Sequence, residues 1–169
     1  MKSDKNEKIY VDWIDRVKIL QKAVVKNKKG LILGLKRTDD ARRPLPGCWD
    51  LPGGRVEASD IEKWKEKSGH SDNSDILVNA LRREIKEESN LEISEIKTIY
   101  AGSQFSQARG IFVVAISYVC DALNEDKIKL SDEHCQYRWV DKDNFLNLEI
   151  GDDGGLIKSI LKNYAKRDY

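Results

Sequence analysis

The chain has 169 residues, which suits one domain built around a single core. Lys and Arg number 30 and Asp and Glu 29, so the formal net charge of +1 provides no global basic field for holding a nucleic-acid polymer. No segment approaches the ~20 apolar residues of a membrane span, and the charged start MKSDKNEK leads into no apolar run that would read as a signal peptide.

The first eight residues are charged and expected to fray. Val17–Val25 and Leu31–Leu35 are rich in β-formers and read as two strands, with Asn27–Gly30 as the turn between them. Residues 37–54 form a long connection that contains all three prolines and ends in Pro52-Gly53-Gly54. Loops of that length inside a compact domain tend to be functional. From Asp75 to Ser89, Ile76, Leu77, Ala80, Leu81 and Ile85 recur at helical spacing and give one apolar face. Asp75 is placed to cap this helix, and Asn90 to end it in the left-handed conformation. Leu91–Ala101 and Ile111–Cys120 read as strands, the second nearly continuous in apolar residues and therefore central. Gln136–Val140 reads as a short strand, Asp141–Leu148 as a short helix and Gly155–Ala165 as a terminal helix. The mixture predicts an α/β fold with helices around a mixed sheet, as one domain over residues 1–169.

Cys48, Cys120 and Cys135 are odd in number, far apart and free of any CxxC pairing. They are expected to be reduced thiols in a cytoplasmic protein, neither a disulfide framework nor a zinc site.

The run that carries chemistry is Arg83-Glu84-Ile85-Lys86-Glu87-Glu88. Residues three and four apart share a helix face, so Glu84, Glu87 and Glu88 gather along one edge. Carboxylates this close repel, and hard divalent cations such as Mg²⁺ prefer such oxygen ligands. The competing reading is a solvated face whose charge Arg82 and Lys86 offset. Upstream, Pro52-Gly53-Gly54 supplies a tight turn without bulky side chains. It can offer a carbonyl to a metal or amides to a phosphate.

These residues resemble the Nudix signature: Gly, five residues, Glu, seven residues, then Arg-Glu-apolar-any-Glu-Glu-any-Gly-apolar. Gly54 is followed by five residues and Asp60, and later by Arg83-Glu84-Ile85-Lys86-Glu87-Glu88-Ser89-Asn90-Leu91. Trp49-Asp50-Leu51-Pro52-Gly53-Gly54 is similar to the usual lead-in. Three departures stand out. Asp60 replaces Glu, Asn90 replaces Gly, and 22 residues (61–82) separate Asp60 from Arg83 where the pattern has seven. The excess of 15 fits an insert around residues 61–75, its first part helical and its second, Ser68–Ser74, loop-like.

The resemblance implies a Nudix-type α/β/α sandwich and Mg²⁺-dependent hydrolysis, with Mn²⁺ as an alternative ion. Glu84, Glu87 and Glu88 would bind the metal, with the Gly54 carbonyl as a further ligand. Arg83 would orient the cluster by pairing with Asp60, an arrangement that the shorter Asp and the insert make less direct. Glu133, six residues before Trp139, would be a further metal ligand or the base that takes a proton from water. Glu84, Glu87, Arg83 and Glu133 are thus the expected catalytic residues. His134 reads as a loop-packing residue.

Gly53, Gly54 and Arg37 would contact the substrate, with Lys36, Arg42 and Arg43 as further cations near the phosphates. Asp152 and Asp153 lie where some members read a purine base, although helix caps are also often Asp. Phe105 and Tyr10 are candidate stacking partners, with core packing as the alternative for each. The reaction implied is substitution by water at phosphorus, with Mg²⁺ offsetting the diphosphate charge.

The partner implied is a small nucleotide, bound by a monomer or homodimer. The small size and the Glu133–Trp139 spacing look most like the MutT-type branch, which points to a nucleoside triphosphate releasing a monophosphate and pyrophosphate. Hydrolysis of ADP-ribose or a nucleotide sugar, and non-catalytic nucleotide binding, are the alternatives. Retention of all three glutamates argues against the last.

Overall fold

The computed structural model describes residues 17–43, 45–62, 75–106, 110–151 and 155–166. A mixed sheet of six strands organises them: β1 (Val17–Lys26), β2 (Ile32–Arg37), β3 (Trp49–Asp50), β4 (Lys97–Ser106), β5 (Ile111–Asp121) and β6 (His134–Val140). The order is β3-β2-β1-β5-β4, with β6 also paired to β2. β5 runs parallel to β1 along its whole length and antiparallel to β4, so it is an interior strand as its apolar run implies. Ile76–Ser89 (α1), Lys142–Leu146 (α2) and Leu156–Tyr164 (α3) are helices, and residues 58–62 are helical as well.

Two core clusters lie on opposite faces of the sheet. On one face Leu81 and Ile85 of α1 pack with Ala23, Val25, Leu33, Leu35, Tyr118 and Cys120. On the other, Phe145 of α2 and Ile157, Ile160 and Leu161 of α3 pack with Val24, Ile32, Leu51 and Val119. Alternation along β1 explains this division, because successive residues point to opposite faces. The fold is therefore the α/β/α sandwich expected from the sequence.

Local signals place α1 closely. Asp75 accepts hydrogen bonds from Leu77 N at 2.8 Å and Val78 N at 3.4 Å, and Asn90 ends the helix at φ 61°. The β1–β2 turn is held by Asn27 Oδ1, which accepts from Lys29 N and Leu31 N. The two strands then share only the Lys26–Ile32 pair. Beyond it, residues 52–56 take over that edge of β1: Ala23 N donates to Pro52 O, Gln21 N to Gly54 O, and Val56 N to Ile19 O. The Pro-Gly-Gly turn is thereby fixed against the centre of the sheet.

One expected strand is displaced. Leu91–Ala101 is not a strand throughout: β4 begins at Lys97, and residues 91–96 make only an isolated bridge from Ile93 to Ala122. Leu91 and Ile93 are buried beneath α1. The Arg82 guanidinium donates to Ile93 O at 2.6 Å and Ser94 O at 2.9 Å, taking carbonyls a ladder would have used. The helices expected over 141–148 and 155–165 are shorter at their ends, as helix boundaries often are.

Candidate active site

A cleft of about 610 Å³ runs across the sheet from the start of the Gly53-Gly54 segment to the N-terminus of α3. It gathers Gly53, Gly54, Arg37, Arg83, Glu84, Glu87, Glu88 and Glu133, residues spread over nearly a hundred positions of sequence.

Each glutamate of α1 meets the Gly53-Gly54 turn differently. Glu88 is buried and accepts a hydrogen bond from Gly53 N at 2.8 Å. Burial pushes its carboxyl up to about 8, with Asp50 and Glu84 adding repulsion while Lys22 and Gly53 N oppose it. Glu84 packs directly on Gly54, where any β-carbon would overlap its carboxylate. Burial also raises the Glu84 carboxyl above its ordinary value, Arg83 opposes, and Glu87 and Glu57 add repulsion. Glu87 is exposed and pairs with Arg83 at 2.9 Å. Gly53 has φ 120°, and a β-carbon there would lie 2.5 Å from Gln21 O, so only glycine fits against β1.

Arg83 is the organiser of this edge. Its Nε and Nη2 hold both oxygens of Asp60, at 2.8 and 2.9 Å, in a bidentate pair. Its Nη1 lies 3.2 Å from Glu84 and 2.9 Å from Glu87. The shorter acid and the insert thus leave this pairing intact: the helical residues 58–62 carry Asp60 to the start of the insert, next to α1.

Beneath the turn lies a charge network that sequence reasoning missed. Lys22 Nζ, buried, donates to Asp50 Oδ2 at 2.7 Å, to Leu51 O at 3.0 Å and to Gly53 O at 3.1 Å. Arg37 Nη2 joins Asp50 Oδ2 at 3.0 Å. Burial alone would raise the Asp50 carboxyl, but Lys22 and Arg37 outweigh it and hold the group below its ordinary value. A signal was present: Lys22 stands between Leu20 and Val24 on the same strand face, and a lysine among core positions needs a buried partner. Glu57, a further carboxylate in the cleft, also went unread.

The remaining expected residues divide. Glu133 reaches the cleft rim, its carboxylate 2.7 Å from Arg43 Nη1. His134 opens β6 as a buried residue, 3.8 Å from Glu88, and burial lowers it to about 4, so it stays neutral. Of the four cations considered for the phosphates, Arg37 lines the cleft, and its buried Nε has no protein partner among the described residues. Lys36 does not line it, Arg42 turns to Asp40, and Arg43 is held by Asp40, Asp132 and Glu133.

Phe105 corrects the core-packing reading: it is 37% exposed, and its neighbour Gln104 lines the cleft. Tyr10, Asp152 and Asp153 fall outside the described residues. Cys48, Cys120 and Cys135 are free thiols, and no helix among the described residues is long and apolar enough to cross a membrane.

The donor set fits a hard divalent cation in chemistry: three carboxylates and the Gly54 carbonyl. That carbonyl accepts one hydrogen bond, from Gln21 N at 2.8 Å, and keeps a second lone pair. Among the described residues no three acidic, histidine or cysteine side chains close on one point. Mg²⁺ keeps several of its waters and needs only one or two carboxylates directly.

Comparison with known proteins identifies the family and the fold. The profile of the family described as NUDIX domain matches residues 22–158. The chain is similar to the MutT protein from Methanosarcina mazei Go1, with 21% identity, coverage of 89% of this chain and 94% of that one, and a TM-score of 0.64. It is similar also to a C. elegans Ap4A hydrolase solved as a binary complex, with 23% identity, 88% and 96% coverage and a TM-score of 0.58. A third likeness is to the NUDIX domain of Shewanella oneidensis NrtR complexed with ADP ribose, with 14% identity, 98% and 99% coverage and a TM-score of 0.65. Among curated proteins nothing matches.

Proposed function

Because the chain belongs to the Nudix family, hydrolases of nucleoside diphosphates linked to another moiety, we propose that it is a Mg²⁺-dependent nucleoside triphosphate pyrophosphohydrolase that releases a monophosphate and pyrophosphate. The observation that carries this reading is the placement of Glu84, Glu87, Glu88 and Gly54 around one cleft, with Arg83 fixed bidentately behind them.

Glu84, Glu87, Glu88 and the Gly54 carbonyl would hold the ion. When bound, Mg²⁺ offsets the charge of the phosphate oxygens and makes the attacking water more acidic. The chain's own groups do the rest. Arg83, anchored on Asp60, orients Glu84 and Glu87. A carboxylate of the cleft would take the water's proton, with Glu133 as the candidate outside α1. Arg37, which lines the cleft, and the Gly53-Gly54 backbone would steady the phosphates.

Hydrolysis of ADP-ribose is the second reading, favoured by the likeness to the NrtR domain solved with that ligand. Product analysis separates the two. Nucleoside triphosphates and ADP-ribose are incubated with the protein and Mg²⁺, and the products are resolved by anion exchange. A monophosphate and pyrophosphate in equal amounts are expected. Release of a diphosphate and orthophosphate, or faster cleavage of ADP-ribose, would overturn the proposal.

A further inference from the structure

One residue of β1 touches both halves of the donor set. Gln21 donates its backbone N–H to the Gly54 carbonyl at 2.8 Å, and its own carbonyl lies so close to Gly53 that no β-carbon fits between them. Its side chain is wholly buried on the sheet face that α1 covers, the face of Ala23 and Val25. There Nε2 donates to the Leu77 carbonyl at 2.9 Å and to the Tyr118 hydroxyl at 3.0 Å. Leu77 stands in the first turn of α1, seven residues before Glu84.

Stability alone does not account for this glutamine. Its Oε1 is buried and has no hydrogen-bond partner among the described residues. The desolvation cost of that oxygen offsets much of what the two Nε2 bonds contribute. An apolar side chain of the same length would fill the space with no unpaired oxygen. It would not hold α1 at a set distance from β1, because apolar contact is non-directional and a hydrogen bond is not.

The contacts of α1 show what is being held. Further along the helix, Glu88 accepts from Gly53 N at 2.8 Å, and Glu84 packs on Gly54. Both of those contacts are made by carboxylates on which a cation would draw. The Gln21–Leu77 bond joins a neutral amide to a helix carbonyl, so it is independent of the charge at the site. Leu77 and Glu84 are roughly two helical turns, or about 10 Å, apart on one rod. Fixing the first turn of α1 on β1 therefore sets how Glu84 approaches Gly54, which hangs from the same strand residue.

We infer that Gln21 is a positioning residue of the metal-binding edge: its amide fixes α1, and its backbone fixes Gly54, to one point of the sheet. This rests on the reading of Glu84, Glu87, Glu88 and the Gly54 carbonyl as a metal site. Titration of the protein with Mn²⁺ alone, followed by electron paramagnetic resonance beside a thermal melt, tests it without any turnover. Gln21→Met is expected to weaken Mn²⁺ binding ~10-fold, the low end of what contacts supporting a metal's ligands contribute. Tyr118→Phe, which leaves the bond to Leu77 in place, should bind within about twofold of wild type. The double variant Gln21→Met/Tyr118→Phe leaves neither polar side chain of this pair, so it serves also if the single change does not fold, and it should bind as weakly as Gln21→Met. A lower melting temperature with unchanged Mn²⁺ affinity in the Gln21 variants would mark a structural role only and overturn the inference. An equal loss in Tyr118→Phe would overturn the assignment to the Leu77 bond. If the wild type binds no Mn²⁺, the metal site falls and the role of Gln21 with it. If the wild type binds and the Gln21 variants bind equally well, the metal site stands and only this inference falls.

Discussion

Glu87→Gln is expected to lower turnover of a nucleoside triphosphate at least ~100-fold, about 2.7 kcal/mol of barrier, while the protein stays folded. The two halves of this expectation have separate causes. Glu87 is exposed, and its one ion pair among the described residues is the i,i+4 contact with Arg83. Such pairs contribute about 0.3–0.5 kcal/mol, and Arg83 keeps Asp60 and Glu84 as partners. Gln is nearly isosteric and preserves helix propensity. What the change removes is a negative oxygen at the mouth of the cleft, and with it affinity for a divalent ion. Steady-state kinetics at saturating Mg²⁺, beside a thermal melt, provides the check. Near-normal turnover would place the metal elsewhere. A large fall in melting temperature would show that Glu87 is structural.

The second large effect is on stability. Lys22→Met should cost about 3–5 kcal/mol, because it leaves the Asp50 carboxylate buried with Arg37 as its only cation among the described residues. Three hydrogen bonds to Asp50, Leu51 and Gly53 go with it, two of them to the turn that presents Gly54. The double change Lys22→Met/Asp50→Leu should recover part of the loss, since no buried charge of this pair then remains. A pH dependence follows. Asp50 is held below its ordinary value, so its contribution is complete above about pH 4 and is lost as pH falls through the lower folded value. In Lys22→Met that carboxyl protonates sooner, so the gap between the two proteins narrows in acid. Urea unfolding at pH 7 and at pH 3 measures both. A difference under ~1 kcal/mol at pH 7 would contradict the role given to Lys22.

Where the chain's local signals agree, sequence and structure coincide. Asp75, the apolar stripe of Ile76, Leu81 and Ile85, and Asn90 define α1 to within a residue, and the spacing of Glu84, Glu87 and Glu88 on it follows from helical geometry alone. The Gly53-Gly54 turn was legible as a turn. Its anchoring along β1 through Pro52, Gly54 and Val56 was not, because backbone pairing between segments 30 residues apart leaves no mark on composition. The Asp60–Arg83 contact was obscured by the residues intervening in sequence, which do not separate its two partners in space. Residues 91–96 misled for a different reason. Leu91 and Ile93 alternate as a strand would, but their side chains fill the core under α1 while Arg82 takes the backbone carbonyls. Lys22 and Asp50 show that a buried ion pair is hard to see from either partner alone, because each looks like an ordinary surface charge until the fold brings them within 2.7 Å.

The most direct measurement is the rate of anhydride hydrolysis across a panel of nucleoside triphosphates as Mg²⁺ is titrated, with a chelator as the zero point. Hydrolysis that rises with Mg²⁺, vanishes with the chelator and falls at least ~100-fold in Glu87→Gln is the predicted result. Hydrolysis that persists in the chelator, or none of any nucleotide with Mg²⁺ or Mn²⁺, would contradict the assignment of Glu84, Glu87, Glu88 and Gly54 as a metal-dependent catalytic centre.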